Sequence, residues 1–182
     1  MNSFTRSDLK IRYAAENDAE LISKLGARLF KDAFGPANRY EDMDDYISAN
    51  FSLTRIKTEL RDPSSTFLLA FKKGKPIGYA KLSDQRKPGC SNSPAPVELS
   101  RIYVDFQKTS RGYGSVLMQA CLKEAKRRGY QTIWLGVWEV NEPAIRFYRR
   151  WGFRSVGKQK FVLGNDIQSD LVMERPIALN SH

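Results

Sequence analysis

At 182 residues, 41% of them hydrophobic, the chain suits one domain with a sizeable core; no apolar run approaches the roughly 20 residues that span a bilayer, and residues 1–10 lack the apolar stretch of a signal peptide. The formal charge of +10 fits a polyanionic partner, either nucleic acid or a phosphate-rich cofactor, or simply a solvated surface, since the cations fall in short clusters such as Lys126-Arg127-Arg128 and Arg149-Arg150. The single histidine is the terminal His182 and the two cysteines, Cys90 and Cys121, stand far apart, which excludes histidine-based triads and zinc-ligand spacing and leaves carboxylates, Tyr, Lys, Cys or water to move protons. A reducing, cytoplasmic setting without a membrane anchor is expected.

From Leu9, residues 10–14 alternate like a strand, and Asp18 predicts an N-cap for an amphipathic helix carrying Leu21, Ile22, Leu25, Leu29 and Phe30. Phe34-Gly35-Pro36 breaks that helix. A second helical stretch, 42–60, is punctuated near 52–54 and opens acidic with Glu41, Asp42, Asp44 and Asp45. Strands are predicted at 66–71 and 77–83 around a hairpin loop at 72–76, and a Pro, Gly and Ser-rich loop at 87–96 leads to a strand at 97–104. Then βαβα alternation takes over: helix 112–128, strand 132–138, helix 142–151. Three short strands, 153–156, 160–163 and 170–175, complete a mixed sheet in an α/β fold with antiparallel N-terminal strands, a parallel central pair and helices on both faces.

Two segments carry chemistry. The first runs from a strand through Lys108-Thr109-Ser110-Arg111-Gly112-Tyr113-Gly114-Ser115 into a helix with a Leu117, Cys121, Ala125 stripe. Gly112 and Gly114 let the backbone approach a ligand, and the first-turn N–H groups with the positive end of the helix dipole make an anion cradle. The same turn also serves as a tight strand-to-helix connection, and it lacks both the Gly-Lys-Ser/Thr of a nucleotide-triphosphate loop and the third glycine of a dinucleotide fingerprint. The second segment is Asn141-Glu142-Pro143-Ala144-Ile145-Arg146-Phe147-Tyr148-Arg149-Arg150-Trp151-Gly152-Phe153, where Asn141 predicts an N-cap, Pro143 sits in the tolerant first turn and Gly152 ends the helix.

At their observed separation the two segments resemble the GNAT superfamily of N-acetyltransferases, and the likeness extends over residues 9–177 as one domain with short tails at 1–8 and 178–182. Glu41-Asp42-Met43, Arg101-Ile102-Tyr103-Val104, Trp134-Leu135-Gly136-Val137-Trp138-Glu139 and Phe161-x-Leu163-Gly164 followed by Gln168-x-Asp170 are similar to the PaiA-type polyamine acetyltransferases. Two departures stand out: Thr109 where the family has Gln or Arg, and Gln159 where such proteins carry histidine.

The resemblance implies acetyl-CoA as cofactor. Its pyrophosphate would lie on Thr109, Ser110, Arg111, Gly112, Tyr113, Gly114 and Ser115; its pantetheine arm would pair with Ile102, Tyr103 and Val104; and Asn141, Ala144, Phe147, Tyr148 and Arg150 would complete the site. Tyr148 is the expected general acid at the thioester sulfur. Glu98 is the expected base, acting through water, with Glu139 behind it.

The acceptor is expected to be a small-molecule primary amine, a polyamine such as spermidine or spermine, attacking directly in a ternary complex. Glu41, Asp42 and Glu139 are candidates to bind it, joined by Asp166 and Asp170 if the last hairpin folds nearby; the acidic cluster is equally the solvated start of a helix. Rival acceptors are a protein N-terminus, a lysine or an antibiotic amine. A different class, a basic DNA-binding regulator with a vestigial cofactor site, finds no recognisable reader motif. The resemblance also allows a homodimer through the C-terminal strands.

Overall fold

The computed structural model describes residues 9–85, 88–105 and 112–178. Seven strands form one sheet: β1 (Leu9–Tyr13), β2 (Ser65–Lys72), β3 (Lys75–Ser83), β4 (Pro96–Val104), β5 (Thr132–Trp138), β6 (Arg154–Leu163) and β7 (Asp166–Pro176). Their order is β1-β2-β3-β4-β5-β7-β6, and every pairing is antiparallel except β4 with β5. The helices are α1 (Ala19–Phe34), α2 (Tyr40–Phe51), α3 (Leu53–Arg61), α4 (Tyr113–Arg127) and α5 (Glu142–Arg150). None of the described helices is long and apolar enough to cross a membrane.

Period-2 alternation in the strands divides the core between the two sheet faces. One face carries Leu68, Ala80, Val97, Leu99, Ile133 and Leu135 against Leu117, Cys121 and Ala125 of α4 and Ile145 of α5. The other carries Phe67, Leu69, Tyr79 and Leu163 against Ile22, Leu25 and Phe30 of α1, Met43 and Phe51 of α2, and Ile56 of α3. The predicted hairpin tightens to a two-residue turn, with Lys73 at φ 48° and Gly74 at φ 76°, the left-handed pair that matches strand twist.

Three local outcomes differ from the sequence expectation. Asp18 directly precedes α1 without capping it: its carboxylate takes two 2.7 Å bonds from Arg12 and one from the Ala15 N–H, tying β1 to the helix start. The expected break in the 42–60 helix falls at Ser52, whose hydroxyl accepts from Arg55 N as the cap of α3. The strands predicted at 153–156 and 160–163 are one strand, β6, in which a register shift between Ser155 and Gly157 absorbs the irregularity that suggested a break.

A buried ion cluster fastens α3 to the sheet. Glu59 accepts from Arg101 of β4 at 2.7 and 3.2 Å, from Lys81 of β3 at 3.1 Å and from Arg55 at 2.9 Å, and Arg101 also donates to the Asn50 carbonyl at 3.2 Å. Burial alone would push the Glu59 carboxyl up, yet Arg101 and Lys81 hold it below its ordinary value. Such a depressed carboxyl stabilises the fold above the unfolded pKa, and that contribution drains away as pH falls through the folded value. Glu59→Ala strands two buried cations, so urea denaturation at pH 7 should show a loss of about 3–5 kcal/mol.

Candidate active site

The parallel pair β4 and β5 stays together for three residue pairs, Pro96 with Thr132, Val97 with Ile133 and Glu98 with Trp134, and then separates. Beyond that point, residues 99–104 and 135–138 present backbone edges to one another without pairing. On its other edge β4 carries a bulge at Ser100, because Lys81 faces Arg101 while Leu82 faces Leu99. The extra residue reverses the alternation: Val97 and Leu99, then Ile102 and Val104, face α4, whereas Glu98, then Arg101 and Tyr103, face the α1–α3 side.

A cleft of about 790 Å³ passes through this opening and has two chemically distinct walls. On the α4 and α5 side lie Ile102, Val104, Gly114, Asn141, Ala144, Phe147, Tyr148 and Arg150. Gly112 (φ 76°) turns the chain in the left-handed region immediately before α4, so the first-turn amides of that helix open toward the cleft with no side chain at Gly114 to cover them. Asn141 caps α5, its Oδ1 accepting from Ala144 N at 3.2 Å, which fixes its side chain at the cleft edge.

Tyr148 is wedged edge-on between Phe147 and Phe153, with centroids 5.5 and 5.8 Å away. Burial, and next the nearby Cys121, push its phenol well above the ordinary value, so it is a protonated donor at neutral pH. The Tyr113 side chain is buried in the core under the Lys72 ammonium, which leaves its backbone to face a ligand, and Ser115 is half-buried in the same turn. Lys108, Thr109, Ser110 and Arg111 lie outside the described residues. Open strand edges, a bare glycine turn and a helix N-terminus fit a cofactor with an amide-bearing arm and a pyrophosphate.

The opposite wall is aromatic and acidic. Phe30, Phe34, Tyr46, Trp138 and Phe161 surround Glu98, which stands where the strands part, and Asp170 of β7, across the sheet from Trp138. Glu98 and Asp170 are each 7% exposed. Burial, and then the charge of Glu139, push the Asp170 carboxyl up to about 6. The Glu59 ion cluster closes the inner end of this wall.

The other predicted acceptor-binding residues are not among those lining the cleft, for clear reasons. Asp42 is buried and accepts from Asn165 N at 2.8 Å, clasping the β6–β7 turn, where Gly164 (φ 58°) leaves no room for a side chain against it. Glu41 is exposed beside Arg39. Glu139 is bound by Lys158 at 2.6 Å just outside the cleft, and Asp166 is exposed, accepting from Gln168. Arg101 enters the sequence reading only as part of the Arg101-Ile102-Tyr103-Val104 motif, and Lys81 and Glu59 not at all, because nothing in their spacing shows that a helix carboxylate meets cations from two strands. Gln159, the expected histidine position, packs beside Asp170 over Gly136.

The family model described as "Acetyltransferase (GNAT) family" matches residues 24–153. The chain belongs to the GNAT family of acetyltransferases. An uncharacterized N-acetyltransferase of Mycobacterium tuberculosis is 34% identical over 162 residues, 88% of this chain and 98% of that protein. One of Lactobacillus delbrueckii subsp. lactis is 29% identical over 169 residues, 93% and 98% of the two chains. In fold, the chain is similar to the PaiA N-acetyltransferase of Thermoplasma acidophilum in complex with coenzyme A, with a TM-score of 0.75 at 21% identity over 92% of this chain and 98% of that one. As a GNAT enzyme the protein is an N-acetyltransferase that uses acetyl-CoA.

The raised Asp170 carboxyl makes a stability statement with a definite sign. Its folded pKa lies above the unfolded value, so the contribution is present below about pH 4 and is lost as pH rises through 6, where a buried carboxylate must ionise. Asp170→Asn should therefore raise the melting temperature at pH 7.5, by about 2–4 °C for each kcal/mol relieved, and change it little at pH 4; thermal denaturation at the two pH values checks this.

Proposed function

We propose that this GNAT enzyme acetylates a primary amine of a small polycation of the spermidine or spermine class, by direct attack within a ternary complex. The observation that carries the reading is the presence of two buried carboxylates, Glu98 and Asp170, and an aromatic wall in the same cleft as Tyr148. A protonated amine needs carboxylates and aromatic faces on its own side of the sheet, and here the cations of that wall, Lys81 and Arg101, are drawn to Glu59. The likeness to PaiA-type enzymes in sequence motifs points the same way.

Acetyl-CoA, when bound, supplies the activated acetyl group as a thioester. The open edge of β4 at Ile102, Tyr103 and Val104 pairs with its amide arm and offers a backbone N–H to the carbonyl oxygen. The α4 N-terminus, with Gly112, Tyr113, Gly114 and Ser115 and with the sequence-predicted Thr109, Ser110 and Arg111, would hold the pyrophosphate. Asn141, Ala144, Phe147 and Arg150 shape the channel toward Tyr148, whose hydroxyl gives its proton at the sulfur. Glu98, at the apex of the opening, accepts a proton from the amine nitrogen through water.

Release of free thiol from acetyl-CoA over spermidine, spermine, short diamines, a lysine peptide and an N-terminal peptide tests the reading. Spermidine or spermine should be preferred, with kcat falling about 100-fold in Tyr148→Phe while acetyl-CoA still binds. A peptide turned over far faster than any polyamine would replace the acceptor class and leave the acetyltransferase intact.

A further inference from the structure

We propose that Asp170 is a catalytic residue: the carboxylate that receives the first proton from the incoming ammonium group and so generates the nucleophile. The inference rests on the N-acetyltransferase chemistry of the family and not on which amine is used.

The geometry sets this carboxylate apart from Asp18, Asp42, Glu59 and Glu124. Asp18 accepts from Arg12 and Ala15 N, Asp42 from Asn165 N, Glu59 from three cations, and Glu124 from Tyr13 and Arg127. Asp170 is more than nine-tenths buried, lines the cleft, and makes no hydrogen bond among the described residues. Buried carboxylates without donors are costly, and the cost is tolerated where a ligand supplies the donors.

The sheet makes room for it. Asp170 stands in register between Trp138 of β5 and Gln159 of β6, with its carboxylate over Gly136, where a Cβ would lie 3.0 Å from Asp170 Oδ2 and 2.7 Å from Gln159 Nε2. A side chain at position 136 would force the Gln159 amide to move and crowd the Asp170 carboxylate.

The surrounding charges leave the group basic. Glu139, at the end of β5, opposes its ionisation, and Lys158 of β6 is bound to that Glu139 at 2.6 Å. Tyr46 of α2, on the same wall, feels the Asp170 charge as a neutral phenol, Gln159 and Gln168 are uncharged, and Arg101 and Lys81 are bound to Glu59. With its carboxyl pushed up to about 6, Asp170 is ionised at neutral pH and takes a proton more readily than an ordinary aspartate.

The proton balance closes over three residues. The ammonium nitrogen gives its first proton to Asp170, which returns it to solvent after turnover. As the C–N bond forms and the C–S bond breaks, the nitrogen gives a second proton through water to Glu98, while the Tyr148 hydroxyl gives one to sulfur; the proton held by Glu98 then restores Tyr148. Two protons leave nitrogen, one ends on sulfur and one in water.

Two measurements test this assignment. In the cofactor-free protein, ¹³C NMR of aspartate side chains should show one carboxyl titrating near pH 6 that is absent in Asp170→Asn and shifts when spermidine is added. In steady-state assays with the fastest amine of the panel, Asp170→Asn should lose about 100-fold in kcat/KM at pH 7, close the gap above pH 9 as free amine becomes abundant, and recover in part as Asp170→Glu. Glu98→Gln should stay impaired across the whole range. A uniform loss in Asp170→Asn at every pH, or an Asp170 carboxyl that titrates in the ordinary range and ignores amines, overturns the proposal. If no amine is turned over by the unaltered enzyme, the acceptor class fails, and the Asp170 titration with its response to added amines still decides the assignment.

Discussion

The separation of β4 from β5 after three residue pairs is the constraint on which the rest of the molecule depends. Parallel strands normally continue to pair, since each unpaired amide in a buried place is costly. Here two features draw β4 aside: the bulge at Ser100, which adds a residue against β3, and Arg101 immediately after it, tied to Glu59 and to the Asn50 carbonyl. β5, for its part, is fully paired with β7 along Thr132–Trp138. The strands are thus held apart from both sides, leaving open edges that suit a ligand carrying its own amides.

That opening also explains why the two walls differ. Residues facing α4 and α5 form one wall, where Tyr148 is desolvated and kept protonated; residues facing α1–α3 form the other, where buried Glu98 and Asp170 line the cleft with aromatic side chains. The sheet itself separates the proposed acid, Tyr148, from the proposed bases, Glu98 and Asp170, and all three line the cleft at the opening. Desolvation acts in the same direction on both groups and serves both proposed roles: it suppresses ionisation of the Tyr148 phenol and raises the basicity of the Asp170 carboxylate.

Legibility from sequence followed the range of the interactions involved. The glycine turn before α4, the Asn141 cap and Pro143 of α5, and the β2–β3 hairpin all rest on contacts within a few residues, and each lies where the local pattern predicts. The acidic run at 41–45 shows the opposite case. Its composition suggested one shared role, yet Asp42 is bound to an amide 123 residues away while Glu41 faces solvent. Asp170 acquires its character only through the register of β7 against β5 and β6, and no spacing in the chain encodes that its neighbours are Trp138 and Gln159. The Ser155–Gly157 irregularity read as a gap between strands because a glycine in a polar stretch looks alike in a turn and in a bulge.

The overall charge of +10 and the acidic acceptor wall are parts of one electrostatic arrangement. A basic exterior draws in a polyanionic cofactor and opposes the approach of a polycation. An acceptor of the proposed polycationic class would therefore be held by short-range contacts in a desolvated place, where a carboxylate acts with little solvent screening. Asp170 meets that need because nothing else in the described chain donates to it, and the same isolation makes it a burden on the folded state above pH 6. Filling the position with a hydrogen-bonded or apolar residue would relieve that burden and remove a cleft carboxyl whose ionisation lies close to neutrality, so the local instability of the wall and the basicity proposed for it have a single physical origin.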